Sequence, residues 1–312
     1  MKVVFLDRKS IGEDIDLNPF NKFGEVVSYD YSTVEETYER TKDADIIILN
    51  KVPINEKSIG DAHKLKLVCV TATGTNNLDK EYLASRNIQW RNVAGYSTEA
   101  VAQHTLALTL SLFEHLSYYD NYVKSEKYVN DRLFTHFEMK FNEINGKTWG
   151  IIGLGAIGSR VAEIATCLGA KVIYYSTSGK NNNEKYKRVS FDELLSQSDI
   201  ISIHAPLNEN TMHLINKDAL IKMKNTTILI NVGRGPIVVE KDLAWALENN
   251  VIAAAGLDVL DIEPMSNDNP LKNIKDSCKL IITPHIAWAA VEARQRLMQI
   301  IYNQIEEYLR SK

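Results

Sequence analysis

One stretch restricts the fold of this chain more than any other: WGIIGLGAIGSRVAEIATCLGAKVIYYS, residues 149–176. An apolar run of strand character leads into Gly153, Gly155 and Gly158 at G-x-G-x-x-G spacing. A helical pattern follows, with Ile157, Val161, Ile164 and Leu168 on one face, and Gly169 ends it before a second apolar run. The spacing predicts a strand–turn–helix–strand unit that binds a dinucleotide at its turn. Glycines let the backbone approach a pyrophosphate, whose charge the free N–H groups and positive end of the helix stabilise. Leu154, Ala156 and Ile157 complete the turn and are expected to contact the same cofactor.

The rest of the chain repeats the alternation. Short β-branched runs at 2–7, 25–30, 44–50, 65–74 and 88–93 form one series; runs at 146–153, 170–176, 199–206, 226–233, 253–259 and 279–285 form a second. Near-continuous apolar strands with helix-length connections predict parallel sheets covered on both faces. Two series predict two α/β units. Between them, STEAVAQHTLALTLSLFEHL (97–116) reads as one long buried helix, with Ser97 or Thr98 available as its cap. A last helical pattern, from Val291 to Leu309, carries Leu297, Ile300, Ile301, Ile305 and Leu309 in phase and is placed to return to the first unit. The expected fold is therefore α/β with two doubly wound parallel-sheet domains: 1–97 plus 288–312, and a dinucleotide-binding domain over 98–287.

Composition narrows the partners. A net charge of −4 on 312 residues offers no basic surplus for nucleic acid or an anionic membrane. Cys69, Cys167 and Cys278 are far apart, and no His/Cys/Asp grouping has metal spacing, so a reducing cytoplasmic compartment and no metal are expected. The opening MKVVFLDRKS is too soon interrupted for a signal peptide, and no run reaches the length of a membrane span.

The fingerprint departs from its usual form at one place. An acidic residue commonly ends the second strand and holds the adenosine ribose; here Ser176 stands there, followed by Thr177, Ser178 and Lys180. These residues tolerate a 2′-phosphate, yet Ser176 also suits a plain ribose, and Lys180, Lys185, Lys187 and Arg188 equally form a solvated face. NAD and NADP both stay open.

Beyond this, the carboxyl ends of parallel strands line a ligand crevice. His204, Ala205 and Pro206, with Thr211 beyond them, and Asn231, Val232 and Gly233 are expected to border the cofactor. Three further segments carry chemistry: NVGRGPIV (231–238), GLDVLDIEP (256–264) and ITPHIAW (282–288). They place Arg234, Glu263 and His285 just past successive strands. Reducing a 2-keto acid needs hydride at C2, a proton for the carbonyl oxygen and a cation for the carboxylate. A histidine paired with a carboxylate has its charged form favoured and can act as the acid, while arginine offers a planar fork for a carboxylate. Of the remaining histidines, His104 and His115 read as structural, and His63, His136 and His213 have no chemical company.

Taken together, GLGAIG, HAPL (204–207), NVGRGPIV, GLDVLDIEP and PHIAWA, with TATGTNNLD (71–79) and NVAGYSTEAVAQHTLAL (92–108) upstream, make nearly the whole chain resemble the D-isomer-specific 2-hydroxyacid dehydrogenase family. The resemblance implies that Arg234 binds the substrate carboxylate and carbonyl, that His285 is the proton donor in reduction and contacts the cofactor, that Glu263 tunes it, and that Asp258 orients the nicotinamide amide. It implies that Thr73, Gly74 and Thr75 grip the carboxylate through backbone N–H groups. It further implies a flavodoxin-like substrate domain, a Rossmann domain, hinge closure over the cleft between them, and a homodimer. NKVP with Lys51, GRGPIVVEKDL and PHIAW resemble the glycerate dehydrogenase/hydroxypyruvate reductase branch most; Lys51 is expected at the substrate, and Trp288 at substrate or nicotinamide. Reduction of bulkier branched or aromatic keto acids is the alternative within this chemistry, and an NADH-sensing, corepressor-like binding protein is the alternative outside it.

Overall fold

The computed structural model describes residues 1–312, which divide into two compact units, Met1–Ser97 with Ala289–Lys312, and Thr98–Trp288. Along the first unit run β1 (Lys2–Phe5), β2 (Glu25–Ser28), α1 (Val34–Thr41), β3 (Ile46–Leu49), α2 (Glu56–Ile59), β4 (Leu67–Val70), α3 (Lys80–Ser85) and β5 (Gln89–Arg91). The second holds α4 (Thr98–Phe113), α5 (Leu116–Lys124), β6 (Thr148–Ile152), α6 (Ala156–Cys167), β7 (Lys171–Tyr175), β8 (Lys187–Arg188), α7 (Phe191–Gln197), β9 (Ile200–Ile203), α8 (Lys217–Lys222), β10 (Ile228–Asn231), α9 (Glu240–Glu248), β11 (Ala254–Leu257) and β12 (Leu280–Ile282). The chain then returns to the first unit as α10 (Val291–Arg310).

In the first unit the five strands are parallel in the order β2-β1-β3-β4-β5, the flavodoxin-like arrangement. Ile46–Leu49 and Leu67–Val70 are buried along their whole length, as the apolar runs require of strands covered on both faces. Helix α1 begins at a reciprocal cap, in which Thr33 accepts from the Glu36 amide and Glu36 accepts from the Thr33 amide. Helix α10 buries Ala293, Leu297, Met298, Ile301, Ile305 and Tyr308, and Tyr302 joins an aromatic cluster with Phe20 and Phe23. Ile300 and Leu309 sit at the edge of that stripe, half-buried.

The second sheet has seven parallel strands in the order β12-β11-β10-β9-β6-β7-β8, a Rossmann arrangement whose order reverses between β6 and β9. Its strands alternate between two apolar layers. Trp149, Ile151, Ile228 and Ile230 face a layer with Leu108, Leu112, Val161 and Ala165. Ile152, Ile201, Ile203 and Leu229 face another with Leu194, Leu220 and Leu243. Each fully buried Leu, Ile or Val side chain among these contributes about 1.5–3 kcal/mol, so the sheet edge that carries the loops is a firm platform.

The stretch 97–116 differs from the single helix expected. Helix α4 stops at Phe113, and His115 adopts φ 52, a left-handed residue that ends one helix and starts the next. Beyond it, α5 buries no side chain fully, so the continuous apolar face ends there. No helix is long and apolar enough to cross a membrane.

Candidate active site

Two of the three glycines after β6 stand where a side chain would collide with backbone. Gly153 has φ +92, and a Cβ on it would lie 2.8 Å from the Ala205 backbone nitrogen at the end of β9. A Cβ on Gly158 would meet the Gly153 carbonyl at 2.2 Å, so the helix packs directly on the turn. Gly155 is the cap of α6, with no side chain bonded to the first-turn amides and open space where its Cβ would be. Unsatisfied N–H groups at an open helix start suit an anion. Leu154 is buried and its carbonyl accepts from Asn181 Nδ2 at 2.9 Å; Ala156 is exposed and Ile157 half-buried.

On either side of this turn two buried polar atoms have no protein partner: Ser176 Oγ, just past β7, and His204 Nδ1, just past β9. His204 belongs to a chain of polar contacts. Trp149 Nε1–H donates to Ser202 Oγ at 2.9 Å, and Ser202 Oγ lies 2.9 Å from His204 Nε2. Burial pushes His204 down to about 3, so the ring is neutral. One ring nitrogen thus meets Ser202, and the other, Nδ1, is left for a further partner. A hydroxyl and an unpartnered imidazole nitrogen beside an open helix start fit the ribose and phosphate groups of a dinucleotide.

The turn after Ser176 is exposed from Ser178 onward, Thr177 is half-buried, and Ser178 Oγ accepts from the Lys180 amide at 3.3 Å. Arg188, on the two-residue strand β8, donates from Nη1 to the Gly179 carbonyl at 3.0 Å. It thus joins the Ser176–Lys180 turn, a position outside the expected cofactor set; only its proximity in the basic run hinted at it. Ala205 is buried and Pro206 exposed. The Thr211 hydroxyl donates to the Pro206 carbonyl at 2.7 Å and accepts from the Asn208 amide at 2.8 Å, folding the loop back on itself.

Asn231 shapes the next turn. Its Oδ1 accepts from the Gly233 amide at 3.0 Å and its Nδ2 donates to the Arg234 carbonyl at 2.9 Å, while Val232 is buried. Arg234 donates to the Gly233 carbonyl at 2.7 Å and is half-buried. A Cβ on Gly235 would lie 1.9 Å from the Leu260 carbonyl oxygen, so this glycine lets the Arg234 turn lie against the segment leading to Glu263. Glu263 is itself anchored: Oε1 accepts from the Leu260 amide at 3.0 Å, and Oε2 lies 2.7 Å from His285 Nδ1. The pair is partly exposed, at 33% and 25% of side-chain surface.

His285 has φ 56, a left-handed conformation that costs a residue with a Cβ about 1–3 kcal/mol and persists only where surroundings enforce it. Its amide donates to the Thr283 carbonyl at 2.9 Å across Pro284. Asp258, 1% exposed, supplies the enforcement. Its Oδ1 accepts from the Ile286 amide and the Thr283 hydroxyl, at 2.8 and 2.6 Å, and its Oδ2 from the Ala287 amide at 2.8 Å. Trp288 is half-buried against the apolar layer on the α4 side, which groups it with this unit.

In the first unit, the Lys51 amide donates to Asp7 Oδ2 at 2.8 Å and its side chain is exposed. Thr73 donates from its hydroxyl to the Val93 carbonyl at 2.9 Å, Asn92 Nδ2 donates to the Thr73 carbonyl at 2.7 Å, and the Thr75 carbonyl accepts from the Leu78 amide, which fixes the turn around Gly74. One histidine expected to stand alone does not: His136 stacks on Tyr122 at 3.8 Å and lies 2.8 Å from the Tyr118 hydroxyl.

The profile of the D-isomer specific 2-hydroxyacid dehydrogenase NAD binding domain matches residues 106–287, more than half the chain. The chain belongs to this family. Hydroxypyruvate reductase of Blautia hydrogenotrophica is 39% identical over 99% of this chain and 97% of its own length. Glycerate dehydrogenase of Methylorubrum extorquens is 36% identical over 100% and 97%. Among solved structures, the acyclic imino acid reductase Bsp5 in complex with NADPH and D-arginine superposes with a TM-score of 0.87 at 31% identity, over 100% of this chain and 98% of that one. As a 2-hydroxyacid dehydrogenase the protein is an oxidoreductase of CH–OH groups that uses a nicotinamide dinucleotide, and the Gly153–Gly158 turn with its flanking unpartnered polar atoms fits that cofactor.

Proposed function

We propose that the protein reduces a small 2-keto acid of the hydroxypyruvate or glyoxylate type to the D-2-hydroxy acid, with His285 as proton donor. The observation that carries this reading is the anchored Glu263–His285 pair at 2.7 Å. Glu263 accepts from Nδ1–H and so directs Nε2 outward as the acid. The cofactor, when bound, supplies a hydride to C2. His285 gives its Nε2 proton to the carbonyl oxygen, which becomes the hydroxyl, and the neutral ring stays bonded to Glu263. Arg234 holds the substrate carboxylate and polarises the carbonyl, positioned by the turn that Asn231 closes. Lys51 and the Thr73–Thr75 turn contribute to carboxylate binding, a role supported by family membership.

The substrate class is supported by the similarity to a hydroxypyruvate reductase and a glycerate dehydrogenase. Ser176 in place of an acid, with Arg188 and Lys180 at the same turn, supports use of NADPH alongside NADH. The homodimer is supported by exposed apolar side chains after α5: Val129, Leu133, Phe134 and Phe137 are 69–87% exposed, more than an isolated surface commonly carries in one segment. Cytoplasmic residence is supported by the three free cysteines.

The test is the initial rate of reduction of hydroxypyruvate, glyoxylate, pyruvate, 2-ketoisocaproate and phenylpyruvate with NADH and with NADPH. Fastest turnover of hydroxypyruvate or glyoxylate is expected. A clear preference for phenylpyruvate overturns the substrate class, and no turnover with retained cofactor binding overturns the enzymatic reading.

A further inference from the structure

We propose that His104, on helix α4, is a positioning residue for the proton-donating loop. Its Nε2 lies 2.9 Å from the Thr283 hydroxyl oxygen, and that hydroxyl donates to Asp258 Oδ1 at 2.6 Å. A hydroxyl has one proton. Since Thr283 gives it to a carboxylate, which when ionised only accepts, His104 Nε2 must carry a hydrogen and donate. The chain of donors runs one way: His104 to Thr283 to Asp258. Asp258 then grips the backbone amides of Ile286 and Ala287, which follow His285 directly.

The arrangement joins three distant parts of the unit. His104 and Thr283 are 179 positions apart in sequence, and Asp258 is 25 from Thr283. His104 Nε2 is also 3.6 Å from Asp258 Oδ1, so its N–H adds to the positive side of a carboxylate that is 1% exposed. A buried carboxylate keeps its place only when each oxygen is satisfied. Without the imidazole, the Thr283 hydroxyl loses the donor that fixes its rotation and Asp258 loses part of its compensation. The left-handed backbone at His285 then relaxes, because two amides one and two residues away hold it there. His104 touches no reacting atom in this account; it acts through the loop. The inference rests on His285 as proton donor, and the first arm of its test is independent of that reading.

Three variants separate the outcomes. His104→Gln places an amide N–H near the Nε2 position, His104→Leu removes the donor, and His104→Asn keeps an amide too short to reach Thr283, replacing the leucine variant if that fails to fold. In the cofactor-free protein, hydrogen exchange at the Ile286 and Ala287 amides should quicken about tenfold or more in His104→Leu and return toward wild type in His104→Gln. In turnover, His104→Leu should lower kcat about tenfold with cofactor Kd unchanged, and His104→Gln should recover most of it. Unchanged exchange in both the leucine and asparagine variants overturns the proposal whatever the kinetics. Faster exchange with wild-type kcat also overturns it as a statement about catalysis. A parallel His285→Ala measurement then shows whether the proton-donor reading has failed as well.

Discussion

Each of the two sheets uses an aspartate to hold a loop beside it, half-buried Asp7 in one and fully buried Asp258 in the other, and the two differ in what stands behind the carboxylate. In the first unit, Asp7 follows β1 and takes the amides of Asn50 and Lys51 beyond the neighbouring strand β3, at 2.8–3.0 Å. In the second, Asp258 follows β11 and takes the amides of Ile286 and Ala287 beyond β12. Both exploit the same geometry: the carboxyl end of one parallel strand lies beside the loop that leaves the next. Asp7, however, meets only backbone N–H groups. Burial pushes its carboxyl up from the usual value, and the amides of Lys51, Asn50 and Val52 only partly oppose that. Asp258 adds a threonine hydroxyl and, through it, an imidazole. The loop of the first unit carries Lys51, a long flexible cation; the loop of the second carries His285, the proposed proton donor, whose direction would matter. Additional support is found where a reacting group needs exact placement.

Substitutions should separate the two clamps, and the largest effect belongs to Asp258. Asp258→Asn turns an amide NH2 toward backbone donors, so kcat should fall at least ~10²-fold and stability by about 1–3 kcal/mol; steady-state kinetics and urea unfolding measure both. Near-normal kcat would dissolve the distinction between the clamps. Thr283→Val keeps the shape and removes the hydroxyl, and should cost about tenfold in kcat while leaving KM for the keto acid nearly unchanged. Asp7→Asn should instead raise KM about threefold with kcat preserved, as loss of uniform binding does. A kcat defect as deep as that of Asp258→Asn would make the two clamps equivalent.

The pH dependence of stability should show the smallest difference. Asp7 has a folded pKa above 3.8, so its contribution to stability is present below that value and is lost as pH rises through the raised one. The melting temperature of wild type relative to Asp7→Asn should therefore fall as pH rises across about pH 3.5–6. The same scan contains an opposite slope from His204, held at about 3 against an ordinary 6.5, whose contribution is present above 6.5 and is lost as pH falls toward 3. His204→Asn should remove that second slope alone.

Much of this architecture is legible locally in the sequence. Runs such as Ile46–Leu49 and Ile228–Asn231 announce buried parallel strands, and of the three glycines of 153–158 Gly158 answers a contact within the same strand–turn–helix unit, against the Gly153 carbonyl. The pairing of Glu263 with His285 followed from chemistry, since an acid was needed next to a base. Other features have no local signature. Strand β8 is two residues long and charged, so no period marks it, and Arg188 reaches the Gly179 turn only because β8 pairs with β7. His115 ends α4 by one dihedral angle, which a run of helix-forming neighbours conceals. His104 looks like one polar residue on an apolar helix; its partner is far along the chain, and only the fold brings Thr283 to it.

The central claim is that His285 donates the proton. It is tested most directly by single-turnover reduction of hydroxypyruvate by wild type and His285→Ala, with the cofactor dissociation constant measured on the same samples by fluorescence. The account predicts a rate at least ~10²-fold lower with cofactor affinity nearly unchanged. A variant that reduces the keto acid at the wild-type rate would contradict it.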